Sequence, residues 1–345
     1  MFPLEPAAAA DPAAVPVRVA SVRNADVPVT LECIGTVQAF TSVTIRAQVD
    51  GILQQVAFTE GQAVRAGDVL ARIDPRPFQA ALDQAQAKRD QDQAQLENAR
   101  LNLQRFQGVG DFASRQQVAT QQAMVSQLEA QVRGDEAAIE NARTQLGYAT
   151  ITAPMDGITG IRLVDQGNLL RATDATGIVV LNQIRPISVT FTLPAEALPD
   201  IRQAMAAEPL GVTVLERQGQ RTLGTGTLAL VDNQIDQATG TIRLKATLPN
   251  TDSALWPGQF VNVQLLLRTD RGVPTLPGTA IQRGPDGNWV YILQADGTVV
   301  VQAVTVNRFA DGRAVIAPGL DPAARVVTSG QFRLSPGARA EVATP

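Results

Sequence analysis

Two lysines, one cysteine and no histidine are what this 345-residue chain offers to covalent and metal chemistry. The lysines are Lys88 and Lys245, the cysteine is Cys33, and the four methionines (Met1, Met124, Met155, Met205) are scattered. Ser-His-Asp and Cys-His nucleophile systems need an imidazole base, so both are excluded. Zinc sites built from His and Cys within one chain are excluded as well. Cys33 has no intrachain partner for a disulfide, and a lone cysteine reads as a small buried hydrophobe rather than a reactive thiol. The methionine spacing offers no thioether cluster for a soft metal ion. Catalysis would have to run on carboxylates alone. The expectation is a protein that is not an enzyme, with no catalytic, cofactor-binding or metal-binding residue.

The bulk properties point the same way. A formal net charge of −4 argues against a nucleic-acid partner, which would need a basic face. Aromatic residues make up 4%, too few for stacking platforms. Apolar content of 45% is that of a folded chain, long enough for two to four modules. No run of about 18 apolar residues occurs, so no segment reads as a membrane-spanning helix. The opening MFPLEPAAAADPAAVPVRV lacks the basic region and apolar core of a signal peptide. Residues 1–15 are expected to be a flexible linker that follows an export signal or membrane anchor.

The informative pattern is a repeat. VDGILQQVAFTEGQAV (49–64) and MDGITGIRLVDQGNLL (155–170) align without a gap at an offset of 106 positions. Between Thr44 and Asp68 ten positions are identical to their counterparts, including Asp50/Asp156, Gly51/Gly157, Gly61/Gly167, Arg65/Arg171, Ala66/Ala172 and Asp68/Asp174. Glycine and aspartate at these places are turn chemistry, and the apolar residues between them alternate as strands do. A single copy of about 30 residues cannot bury a core. Two copies packed face to face can, so residues 41–74 and 148–182 are expected to be halves of one small β-sandwich.

Between the copies the period changes. From Pro77 to Gly108 there is neither Gly nor Pro, as a helix requires. Leu82, Ala85, Arg89, Asp92, Leu96, Ala99, Leu103 and Phe106 form a heptad seam. Past the break GVGDFAS a second seam follows: Val118, Gln121, Val125, Leu128, Val132, Asp135, Ile139, Ala142 and Leu146. Residues 75–147 therefore predict an antiparallel coiled-coil hairpin about 45–50 Å long. Its other faces are polar. Arg89 and Asp135 interrupt the seam at facing heights; they read either as a buried pair that sets register or as solvated residues at a loose seam. A hairpin leaves and returns at one place, so inserting it between the halves costs little closure entropy. Strands at 17–40 find partners only after residue 182, which predicts modules nested in series. Beyond Pro186 the chain is β-rich, with one short helix near 195–207.

Split half-motifs with D-G-I and E-G or Q-G turns resemble the lipoyl/biotinyl fold. With the inserted hairpin, VDNQIDQATGTIRLKATLPN (231–250), WPGQFVNVQL (256–265) and the closing GLDPAARVVTSGQFRLSPGARAEV, the chain resembles the periplasmic adaptors, or membrane fusion proteins, of RND-type tripartite efflux pumps. The resemblance implies a mainly β, elongated, nested multi-domain adaptor: a lipoyl-like sandwich, a hairpin, a β-barrel domain (27–40 plus 183–267) and a membrane-proximal domain (16–26 plus 268–345). It implies a periplasmic protein anchored to the inner membrane through an N-terminal signal or lipid anchor. Its implied partners are an inner-membrane RND transporter, a TolC-type outer-membrane channel and further copies of itself in a trimer or hexameric ring. At the hairpin tip Arg105 and Ser114 match the family's docking residues, while Val109 stands where leucine is usual and the loop is about two residues shorter. An adaptor for an ATP-driven exporter is the alternative. A lipoyl or biotinyl carrier is disfavoured because RIDPRPFQ stands where the cofactor-bearing lysine would be.

Overall fold

The computed structural model describes residues 14–108, 114–218, 221–285 and 287–343, and the chain divides into two compact units. One comprises residues 35–190 and 245–261; the other comprises the chain up to 34, then 191–244 and 262 onward. The boundaries fall inside the strands Arg23–Ile45, Val179–Pro194, Thr241–Leu248 and Phe260–Pro277. The residues expected to form the barrel are thus shared between the units. Residues 1–13 of the expected linker lie outside the described residues, and Val15 already opens a strand, Val15–Ser21.

In the first unit the two half-motifs exchange strands. Gly51–Val56 pairs with Leu169–Leu170, and Ala63–Val64 pairs with Gly157–Thr159, both antiparallel. The second pairing is the first with the halves swapped. The core repeats the symmetry: Ile45 and Ile151, Ala47 and Ala153, Val64 and Leu170, Ile73 and Val179 are all buried in one cluster with Leu53, Leu70 and Leu181. The sheet Thr150–Thr152, Val69–Ile73, Gly51–Val56, Leu169–Leu170 draws two strands from each half, so the halves interleave rather than each supplying one face.

Two helices follow and precede these halves: α1, Arg76–Gly108, and α2, Arg115–Tyr148. Pro77 sits in the first turn of α1, where its missing N–H costs nothing. At about 1.5 Å per residue each helix is about 50 Å long.

In the second unit a six-stranded sheet runs in the order Gln282–Gly284, Gly287–Leu293, Arg325–Ser329, Val15–Ser21, Ala340–Val342, with Val299–Ala303 on Gly287–Leu293. The chain's first strand lies between two of its last, antiparallel to Arg325–Ser329 and parallel to Ala340–Val342. This is the nesting that the sequence predicts. Separately, Gly211–Leu215 sits between Thr222–Asp236 and Phe260–Pro277. The expected short helix is present as α3, Leu198–Ala207, preceded by a 3-10 turn at Ala195–Ala197.

Candidate functional site

The hairpin is the candidate site, and the sandwich is what holds it. The repeat glycines and aspartates act as two kinds of device. Gly61 and Gly167 have φ of 75° and 94°, the left-handed turn conformation that their spacing predicts. Gly51 and Gly157 instead begin strands and are needed for close approach. A Cβ on Gly51 would lie 2.5 Å from Ile73 Cγ2, and one on Gly157 2.8 Å from the Asn182 carbonyl oxygen. The expectation of a turn at those two positions is corrected accordingly.

Asp50 and Asp156 tie the halves together. The Ala172 N–H donates to Asp50 Oδ1 at 2.7 Å, and the Ala66 N–H donates to Asp156 Oδ1 at 2.8 Å. Each aspartate therefore closes a turn in the other half. Backbone bonds repeat the exchange: Gly61 N–H to Thr159 O at 3.0 Å and Gly167 N–H to Leu53 O at 2.8 Å. Asp50→Ala and Asp156→Ala should each cost about 1 kcal/mol, the net worth of such a bond. Urea unfolding followed at the sandwich would check the expected equality of the two.

The hairpin leaves and re-enters this frame at one place, where the Ile73 N–H donates to Ala149 O at 2.8 Å. Its seam is the predicted one. Leu82, Asp92, Leu96, Ala99 and Leu103 of α1 are buried, as are Val125, Val132, Asp135 and Ile139 of α2. Gln121 Nε2 donates to Ala99 O across the seam at 3.0 Å, and Arg100 Nη2 meets Glu129 Oε1 at 2.7 Å. The seam loosens toward the tip, where Phe106 is 36% exposed.

Arg89 and Asp135 do not pair. Arg89 Nη2 bonds Asp90 Oδ1 of its own helix at 2.8 Å, and Asp135 is buried with its Oδ2 lacking any donor. The facing group is Asp92, whose Oδ2 accepts from Lys88 Nζ at 2.6 Å. Lys88 can reach Asp92 because the two are one turn apart, whereas Arg89 points toward the rim and finds Asp90. Lys88 holds the Asp92 carboxyl below the usual carboxylate range against the opposing effect of burial, and the Asp135 carboxyl contributes least. The Asp92–Lys88 contribution is therefore present at neutral pH and disappears as pH falls through that lowered range. Asp135, by contrast, is a buried carboxyl opposite another acid, with a long 3.5 Å bond from Gln131 Nε2 to its Oδ1 and no donor on its Oδ2. Asp135→Leu should stabilise the hairpin by about 1–3 kcal/mol, measurable as a higher urea midpoint at neutral pH.

At the tip, Arg105 is exposed in the last turn of α1 and forms no ion pair among the described residues. A cation there is favoured by the helix dipole, which is a structural reason for its presence. Ser114 is the N-cap of α2. Its Oγ accepts from the Gln117 N–H at 3.2 Å while Gln117 Oε1 accepts from the Ser114 N–H at 3.0 Å. Val109 lies outside the described residues. Leu101 and Met124, apolar residues off the heptad seam, are 55% and 45% exposed. Ile52 and Leu169, cross-strand neighbours on the sandwich outside the repeat's turn residues, are 51% and 59% exposed. Their signal was available: each is an apolar residue on the polar side of its element's period.

Cys33 behaves as expected of a lone cysteine. Burial pushes its thiol up to about 11, and its Sγ donates to Val263 O at 3.9 Å. No helix among the described residues is long and apolar enough to cross a membrane.

Known proteins resemble the chain along nearly all of it. Residues 41–182 match the barrel-sandwich hybrid domain of RND MFPs (membrane fusion proteins), 186–269 their β-barrel domain, and 273–333 their C-terminal permuted SH3 domain. The multidrug resistance protein MdtA of Cronobacter turicensis is 44% identical over 333 residues, 96% of this chain and 80% of that protein. MdtA of Klebsiella pneumoniae subsp. pneumoniae is 44% identical over 335 residues, with 96% and 81% covered. Among solved structures, MacA from Actinobacillus actinomycetemcomitans shares the fold, with a TM-score of 0.57, 18% identity and 90% and 99% of the two chains covered. A MacA-MexA chimera carrying the Pseudomonas aeruginosa MexA α-hairpin gives the same TM-score at 22% identity, over 74% and 87%.

Proposed function

The chain belongs to the membrane fusion proteins of RND-type efflux systems, and on that premise we propose that its hairpin tip docks on a TolC-type outer-membrane channel while the strand-rich unit holds an inner-membrane RND transporter. It is a periplasmic adaptor of multidrug efflux. The observation that carries the docking proposal is the hairpin itself. Two helices of 33 and 34 residues leave and re-enter the sandwich at one place, and the buried core of the sandwich lies outside them, with Phe78 of α1 packed against it. Such an arm positions a small contact far from the body that holds it. The three domain matches are all of the RND type, which favours a proton-driven transporter over an ATP-driven one.

One narrow tip binds weakly, but several tips in one ring engage a symmetric channel at high effective concentration. A ring needs side-to-side contacts between copies, and the exposed Ile52 and Leu169 supply an apolar surface for one. Anchoring at the inner membrane completes the arrangement, through a segment ahead of Val15. A photo-crosslinking residue at position 105 in cells should capture an outer-membrane channel protein, and one at position 52 a second copy of the chain. Capture of an ATPase transporter by the full-length protein would replace the RND assignment while keeping the spacer role. Failure to capture any outer-membrane protein at position 105 would remove the docking role from the tip.

A further inference from the structure

Phe332 is 98% exposed, more than any other large apolar residue of the described chain. It sits on a 3-10 turn, Gln331–Arg333, that is fixed from several sides. Gly330, just before it, has φ of 93°, and a Cβ there would lie 2.7 Å from Pro16 O, so the backbones are in close approach. Gln331 is buried and its Nε2 donates to Thr279 O at 2.8 Å. Just after the turn, Leu334 O accepts from the Tyr291 hydroxyl at 3.0 Å. A turn held this firmly presents the ring to solvent without entropic freedom to hide it.

Two arginines flank the turn, with one exposed carboxylate, Glu341, opposite Pro16 in the parallel neighbour strand. Arg333 follows Phe332 directly, and Arg18 stands opposite Ser329 in the adjoining strand; both are exposed and neither forms an ion pair among the described residues. Residues 16–26 with 268–345 carry ten arginines against seven carboxylates, whereas the rest of the chain is acidic, with nineteen basic residues against twenty-six. The turn also lies beside the point where the chain enters this unit, since Gly330 packs on Pro16 and Val15 opens the first strand. Under the adaptor reading, on which this inference rests, that entry point leads from the membrane anchor.

We propose that Phe332 and Arg333 form a membrane-surface contact, with the phenyl ring inserted at the headgroup–acyl boundary and Arg333 and Arg18 facing anionic lipid headgroups. An aromatic ring beside cations is the composition that binds bilayer interfaces. A single ring binds weakly and reversibly, so its effect is to orient an already anchored adaptor, copy by copy around a ring, rather than to hold it there.

The test is flotation of the purified chain with phosphatidylethanolamine–phosphatidylglycerol vesicles, compared with phosphatidylcholine vesicles, at low and high salt. The wild type should float with the anionic vesicles, less so at high salt. Phe332→Ala should lower the partition coefficient roughly tenfold, Phe332→Leu should largely retain it, and Arg333→Glu should reduce both binding and its salt dependence. Because the ring is exposed, all three variants should melt with the wild type. Absence of wild-type flotation, or equal flotation of Phe332→Ala, overturns the proposal. Loss of transporter co-purification by Phe332→Ala with unchanged vesicle binding would assign the ring to a protein pocket and overturns it too. Failure of the adaptor reading would show instead as an absence of outer-membrane capture at position 105, a measurement independent of vesicles.

Discussion

Cells carrying Arg105→Asp should lose efflux to the level of cells without the adaptor, while the purified variant should melt close to wild type. Reversing the charge at the C-terminal turn of α1 removes a favourable dipole interaction, worth about 0.3–1 kcal/mol at an exposed site. A loss of that size does not unfold a helix held by Leu96, Ala99 and Leu103. Under the docking proposal the contact is different, because every tip in the proposed ring would carry the same change. A penalty of about 1 kcal/mol per tip would multiply across the copies and abolish an avid contact. Ser114 needs a separate design, since its hydroxyl caps α2. Ser114→Ala would cost about 1 kcal/mol as a lost cap, contact or no contact. Ser114→Asp keeps a capping oxygen, so loss of efflux in that variant alone reports on docking. Drug susceptibility of cells, with circular dichroism of the purified variants, reads both effects. Full efflux by Arg105→Asp would sink the docking assignment of the tip.

Gly157→Ala should lower the melting temperature of the sandwich and reduce efflux with it. The new methyl would stand 2.8 Å from the Asn182 carbonyl oxygen and 3.0 Å from Leu181 Cδ1. The carbonyl belongs to the strand paired with Ile158, so relief requires moving one strand off another. Overpacking of this kind costs roughly 1–3 kcal/mol. In a unit of this size that corresponds to a melting shift of roughly 2–4 °C per kcal/mol. Gly51→Ala is the matching experiment in the other half. There the obstacle is Ile73 Cγ2, a fully buried β-branched side chain with one favoured rotamer, so the cost should be of the same order. Calorimetry on both variants checks the prediction. A wild-type melting temperature for Gly157→Ala would mean that the Gly157–Thr159 strand is free to shift and that the close approach imposes nothing.

Both predictions rest on features with very different legibility. The repeat was readable because turn chemistry is local: a left-handed residue at Gly61 or Gly167 demands glycine whatever packs nearby, so the same letters recur at the same spacing. The hairpin was readable because a seam on two long helices repeats every seven residues, and Leu82, Leu96, Ala99, Leu103, Val125, Val132 and Ile139 are buried where that period puts them. The lack of histidine and the single cysteine excluded whole classes of chemistry before any fold was known.

What the sequence could not specify was which partner each polar group would take. Asp50 and Asp156 looked like members of their own turns, yet each bonds a backbone N–H 122 or 90 residues away in the other half. Arg89 and Asp135 had the right heights for an ion pair, but side-chain direction on each helix sent Arg89 to Asp90 and left Asp135 facing Asp92 with no donor on its Oδ2. Gly51 and Gly157 carry no sign in the sequence that they are close-approach points rather than turns. Periodicity and turn propensity are properties of a few neighbouring residues, so the sequence alone determined the repeat and the hairpin. Hydrogen-bond partners, orphaned charges and the exposure of Phe332 depend on distant segments arriving at one place, and only the tertiary structure decided them.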